Sequence, residues 1–168
     1  MEEIVNKVAQ SVLAVFDLED YYPKNQKAVV DIADFLEEGF ILREVNFRNA
    51  LKAHDWSSYK DKLVTIYCST DAILPAWAPI LVATHLHEFA HKTYLCPLEA
   101  VDTLYFTEIL SELDYSSFAD KPVILKGCSK KPVPEMAYLL AISRLQNVAR
   151  SVMFGEACSA VPLYKKKK

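Results

Sequence analysis

Glycine is scarce in this chain, with three residues in 168. A loop that wraps backbone amides around phosphate needs several, and neither G-x-G-x-x-G nor G-x-x-x-x-G-K-[ST] occurs. No C-x-x-C pair is written, which removes the zinc ribbon and the thioredoxin-type dithiol. No apolar run reaches the length of a membrane span. The start, Met1-Glu2-Glu3, lacks the positive region and apolar core of a secretory signal. These absences lead to the expectation of a cytoplasmic protein without a membrane partner, its four cysteines reduced. Positive charge is also thin outside the tail. The net charge is −3, but Lys165 to Lys168 supply four positive charges, so the rest carries −7. No nucleic-acid partner is expected of such a surface, because phosphate backbones are held by clustered cations. With 52% hydrophobic and 24% charged residues, the composition is that of an ordinary globular domain.

What is present is a repeat. Asp55-Trp56-Ser57-Ser58-Tyr59-Lys60-Asp61-Lys62-Leu63-Val64 is answered 59 residues later by Asp114-Tyr115-Ser116-Ser117-Phe118-Ala119-Asp120-Lys121-Pro122-Val123. Gly127 delays the second Cys-Ser by one position, and the register returns at Pro75/Pro134 and Ala78/Ala137. A period of this length indicates a duplicated supersecondary unit. Each copy reads as polar turn, strand, Cys-Ser, proline-containing loop and helix. Leu63 to Tyr67 and Val123 to Leu125 are short, apolar and rich in β-branched residues, as buried strands are. Pro75 and Pro134 suit a first helical turn.

The remaining chain fits around these copies. Val15-Phe16-Asp17-Leu18-Glu19-Asp20-Tyr21 is echoed by Val29-Val30-Asp31-Ile32-Ala33-Asp34-Phe35. With the turn-forming run from Tyr22 to Gln26 between them, the two are expected to form a hairpin. Phe47, Ala50, Leu51 and His54 share one helix face. The expected fold is a single α/β domain over 1–168 with a mainly parallel sheet. Residues 1–53 supply a hairpin and helix, 54–112 the first strand–helix–strand unit, 113–164 the second, and 165–168 a lysine tail. A structure placing the Cys68 and Cys128 strands in separate sheets would contradict the duplication as read here.

Four groups bear chemistry. Cys68, Cys128 and Cys158 each precede serine and are each expected just past a strand end, along the edge where open α/β sheets bind ligands. Three thiolates there suit Zn²⁺, iron or an iron–sulphur cluster, with Asp71 as a further ligand. The plainer reading is small residues packed at strand ends; Cys96, followed at once by Pro97, is set apart. Cys128, among Lys126, Lys130 and Lys131 and ahead of a helix, is also the best placed for a reactive thiolate, and hence for a thiol enzyme. His87-Glu88-Phe89-Ala90-His91 matches the zincin H-E-x-x-H on an expected helix ending near His91. The repeat puts Gln146, Asn147 and Arg150 at the equivalents of His87, Glu88 and His91, which favours ordinary polar surface. The acidic residues near Asp17 and Asp31 read as strand-end and helix-cap positions; a hard-cation site is the alternative.

Several segments carry a family resemblance. These are Phe16 to Pro23, His54-Asp55-Trp56-Ser57, Lys126 to Pro134 and Gly155 to Lys165. They resemble the domain-of-unknown-function family 2480 of Bacteroidota over nearly the whole chain. That resemblance carries no activity, but it implies a bacterial protein whose genes lie near iron–sulphur assembly genes. A protein partner in iron–sulphur metabolism is the corresponding expectation. Two functions follow as expectations. One is a thiolate site at Cys68, Cys128, Cys158 and Asp71 for Zn, Fe or an iron–sulphur cluster. The other is a non-catalytic interaction module with structural cysteines.

Overall fold

In the computed structural model, residues 13–127, 130–156 and 158–167 are described. The protein is α/β with mostly parallel strands. In chain order the elements are β1 (Ala14–Asp17), β2 (Lys27–Asp31), α1 (Glu44–Ala53), β3 (Leu63–Tyr67), α2 (Trp77–Leu86) and β4 (Lys92–Leu95). Then come α3 (Val101–Glu112), β5 (Pro122–Lys126), α4 (Glu135–Val148), β6 (Ser151–Phe154) and β7 (Val161–Lys165). The chain divides into two compact units. Unit one takes the residues through Tyr22 and those from Tyr105 onward; unit two is Pro23–Leu104.

Unit one contains a sheet ordered β1-β5-β6-β7, parallel except for β7. Unit two contains a parallel sheet ordered β2-β3-β4. Two expectations are corrected here. The echoing segments do not form a hairpin, because β1 and β2 belong to different sheets. The strands leading to Cys68 and Cys128 also lie in different sheets, so the cysteine loops do not follow strands of one sheet.

Repetition reappears between the sheets, in a form the single-sheet reading missed. Ala14 pairs with Val123 and Asp17 with Lys126 in unit one. Ala28 pairs with Val64 and Asp31 with Tyr67 in unit two. Shifts of 14 and 59 residues convert one register into the other. Each half of the echo is therefore the first strand of its own copy. It runs parallel to its partner, so the two cannot be joined by a tight turn.

The bonds outside the ladders repeat as well. Trp56 Nε1 donates to the Leu51 carbonyl (2.8 Å), and the Tyr115 hydroxyl donates to the Leu110 carbonyl (3.0 Å). Asp61 N–H donates to Phe89 O and Asp120 N–H to Val148 O, both at 2.9 Å. Asp61 and Asp120 both adopt left-handed backbone angles, φ 57° and 54°. Aspartate tolerates that region better than most residues, since its short side chain bonds locally.

The cores explain why these segments are strands. Val64, Thr65 and Ile66 are all buried, as are Val123, Ile124 and Leu125, so each strand is covered on both faces. In unit one Phe16, Leu18, Phe106 and Leu145 gather around β5. In unit two Val30, Ile32, Phe47 and Leu51 gather around β3. Each such side chain contributes about 1.5–3 kcal/mol by leaving water.

The turn conformation generates a test. Asp61→Gly removes the Cβ penalty and is expected to be neutral to stabilising by up to about 1 kcal/mol, whereas Asp61→Val costs about 1–2 kcal/mol. Urea unfolding of the two variants checks the order.

Candidate functional site

At the end of β3, the Asp31 carboxylate gathers donors. Ala33 N–H and Ser69 N–H both reach Oδ1 at 3.0 Å. Partial burial acts to raise its pKa. Hydrogen bonds from Ser69, Ala33 and Tyr67 outweigh that and hold the carboxyl below its ordinary value. Cys68 is half-buried against the unit-two core. Its Sγ lies 3.4 Å from Thr70 Oγ1, and the Thr70 hydroxyl donates to Gly39 O at 2.6 Å. Threonine has one hydroxyl proton and spends it on Gly39, which leaves its oxygen to accept from the Cys68 thiol. Asp71 is exposed. In this arrangement Cys68 is a packed thiol.

The end of β5 is built differently. Lys126 Nζ pairs with Asp17 Oδ2 at 3.2 Å and approaches Glu156 Oε1 at 3.9 Å. The hydrogen bond and charge of Asp17, followed by Glu156, raise the lysine's pKa. Glu19, 8% exposed, accepts the Lys130 N–H on Oε1 at 2.8 Å, and its carbonyl accepts Lys131 Nζ at 2.8 Å. Lys131 also sits 5.8 Å above the Tyr22 ring. Of these lysines, Lys126 has its charge paired with Asp17 and, at longer range, Glu156, while Lys131 binds a backbone carbonyl. Cys128 itself lies outside the described residues, so the reactive-thiol expectation does too.

Cys158 is exposed in unit one, whereas Cys68 belongs to unit two. Cys96 is half-buried, and burial, then Glu99, raise its thiol pKa. Among the described residues no group of three or more His, Cys, Asp or Glu is placed to hold a metal ion. The expected H-E-x-x-H helix does not form, because α2 ends at Leu86. The Ala90 N–H bonds Leu86 O, and the His91 N–H turns away to Lys62 O, leading into β4. Asp17 and Asp31 cap short 3-10 turns through Glu19 N–H and Ala33 N–H, which accounts for the acidic positions without a cation.

Sequence reasoning missed a pair of grooves. In unit two an apolar groove of about 400 Å³ is lined by Ile66, Pro79, Ile80, Ala83 and Leu95, with Ala76 and Thr93. In unit one a groove of about 500 Å³ is lined by Leu125, Tyr138, Leu139, Ile142 and Phe154, with Glu135 and Leu163. The first five residues of each set match one for one at the 59-residue shift. Ile80 is 63% exposed and Leu139 64%. A signal was available in α2, whose Trp77 to Val82 run is apolar on every face. A helix covered on one side only does not need that.

The family model described as "Protein of unknown function (DUF2480)" matches residues 2–166. The chain belongs to that family. No curated protein and no solved structure matches it. No helix among the described residues of this DUF2480 chain is long and apolar enough to cross a membrane.

The two copies also differ just past their central strands. Cys68 packs in the first copy, while Gly127 directly follows β5 in the second. A Cβ at 127 would lie 2.9 Å from Tyr138 Oη and 3.1 Å from Leu18 Cβ. The first copy has Pro79 where the second has Tyr138. Gly127 is thus required by close approach of the phenol, not by a left-handed backbone.

Two outcomes follow. Gly127→Ala is expected to destabilise by about 1–3 kcal/mol, and by less in a Tyr138→Leu background; a double-mutant cycle measures the coupling. The Asp31 carboxyl is lowered in the folded state, so its contribution is present above the ordinary carboxylate range and lost as pH falls through its folded value. Asp31→Asn should therefore flatten the acid limb of the stability profile, read from unfolding midpoints between pH 6 and pH 2.

Proposed function

We propose that the protein is a binding module whose two units each present an apolar groove to apolar side chains of a partner protein. The observation that carries this reading is the matched exposure of Ile80 and Leu139 in equivalent grooves. The copies differ at many surface positions, yet both keep a large aliphatic residue in water here. Covering such a residue recovers about 1.5–3 kcal/mol. Groove volumes of 400 and 500 Å³ fall within the range of small binding sites. A protein of iron–sulphur metabolism, expected from the family resemblance, is the first partner to test.

The rival is the thiolate site of Cys68, Cys128, Cys158 and Asp71 with Zn, Fe or an iron–sulphur cluster. It draws on cysteine placement in the sequence. The bonding of Cys68 to Thr70 and the exposure of Asp71 support packing instead.

Nile red, a neutral apolar dye, probes the grooves. Saturable fluorescence enhancement is expected, weakened at least fivefold by either Ile80→Asp or Leu139→Asp and lost in the double variant. Both residues are well exposed, so far-UV circular dichroism should stay unchanged. Undiminished dye binding by the folded double variant would overturn the proposal. Metal analysis of protein purified without oxygen tests the rival: stoichiometric metal, lost on replacing the three cysteines by serine, would install it.

A further inference from the structure

The two sheets differ by one strand. The sheet of unit one runs β1-β5-β6-β7, and that of unit two stops at β2-β3-β4. At the 59-residue shift β4 (Lys92–Leu95) is the counterpart of β6 (Ser151–Phe154). Among the described residues β7 has no counterpart in unit two, and β4 ends its sheet. Backbone groups alternate sides along a strand. Lys92 N–H points to Lys62 O at 3.5 Å, so Lys92 and Tyr94 turn their amides towards β3 and Thr93 and Leu95 turn theirs outward. The counterparts Val152 and Phe154 face β7, standing opposite Tyr164 and Val161. No partner among the described residues meets the outward backbone groups of Thr93 and Leu95, and Leu95 is 67% exposed. An open edge of this kind is a template for another strand.

The edge and the groove of unit two are continuous, because Thr93 and Leu95 line the groove together with Ile80 and Ala83. In unit one β7 supplies Leu163 to the matching groove. Just past β7, Lys166 Nζ pairs with Asp120 Oδ1 at 3.3 Å. Asp61 is the counterpart of Asp120 and shares its left-handed turn. It is exposed, and its carboxylate has no ion-pair or hydrogen-bond partner among the described residues. Unit one thus shows what this place accommodates: an antiparallel strand with a leucine towards the groove and a lysine three positions on.

We propose that β4 takes up an extended segment of a partner protein as an antiparallel fourth strand, with an aliphatic side chain in the groove and a basic residue three positions later on Asp61. This rests on the groove reading above and names the form in which the partner of unit two binds. Strand addition draws its affinity from main-chain hydrogen bonds and its selectivity from side-chain pockets. The exposed pair with Asp61 fixes direction and register more than it adds affinity.

The probe is a synthetic peptide copying residues 159–166, which carry β7 and Lys166. In the full chain the Thr93 and Leu95 amides should exchange quickly with solvent. Saturating peptide should slow both by about tenfold or more, read by NMR-detected hydrogen exchange. Thr93→Pro deletes an outward N–H without removing a bond to β3, so it should weaken peptide binding about tenfold relative to Thr93→Val, which keeps that N–H. Asp61→Asn suits the same turn and should weaken binding about threefold, while a peptide carrying Lys166→Ala should bind parent and variant alike. That comparison keeps the test intact if the proline variant does not fold. If the parent binds Nile red but the peptide leaves Thr93 and Leu95 unprotected, strand addition is overturned and the groove reading stands. Peptide affinity unchanged in both folded variants overturns it as well. So do amides already protected in the free protein: protection that fades on dilution assigns the edge to a second copy, and protection at every dilution assigns it to another segment of this chain.

Discussion

Everything in this molecule depends on two parallel strand pairs whose members come from distant parts of the chain. Ala14 sits opposite Val123, and Ala28 opposite Val64. Parallel pairing forbids a tight connection, so a crossover must intervene. The chain solves this for unit one by placing all of unit two between β1 and the rest of its sheet. Leu18 and Phe16 then arrive beside Leu125 and Phe106 from far away in sequence, and the loop closure is repaid by a core shared among them.

Within that plan the two copies keep what the fold needs and vary the rest. The aspartate after each first strand caps a turn, the Trp56/Tyr115 pair ties its ring to the preceding helix, and Asp61/Asp120 turn the chain into the central strand. Variation falls at strand ends and helix faces. Unit two closes β3 with a hydrogen-bonded thiol and hydroxyls around Asp31. Unit one closes β5 with ion pairs, a buried Glu19 carboxylate and a phenol against Gly127.

The balance between a metal centre and a binding surface turns on desolvation. Thiolate and carboxylate ligands must be brought together and stripped of other partners before an ion can use them. Cys68 instead bonds Thr70 of its own loop, and Asp31 accepts from Ala33 N–H and from Ser69 N–H of the loop after β3. Ile80 and Leu139 show the opposite condition, with apolar surface left uncovered at the same place in both copies. Uncovered apolar area lowers its free energy by association, and satisfied polar groups do not.

The sequence by itself determined the α/β class, the 59-residue repeat, the two central strands and the helical segments that follow them. These are properties of local periodicity and of self-similarity, and both are written along the chain. It also contained the shift between Val15–Tyr21 and Val29–Phe35, but not its meaning. Two similar strands separated by a turn look like a hairpin until it is known that each has a better partner elsewhere. Only tertiary structure decided that β1 joins β5 and β2 joins β3, because the competition is between a local turn and the burial of whole strand faces. The same holds for the end of α2 at Leu86, where the His91 amide finds Lys62 O and the H-E-x-x-H spacing loses its helix. It holds for the grooves as well. Ile80 and Leu139 are ordinary apolar residues in a helix pattern, and their exposure depends on which neighbours the sheet leaves beside them.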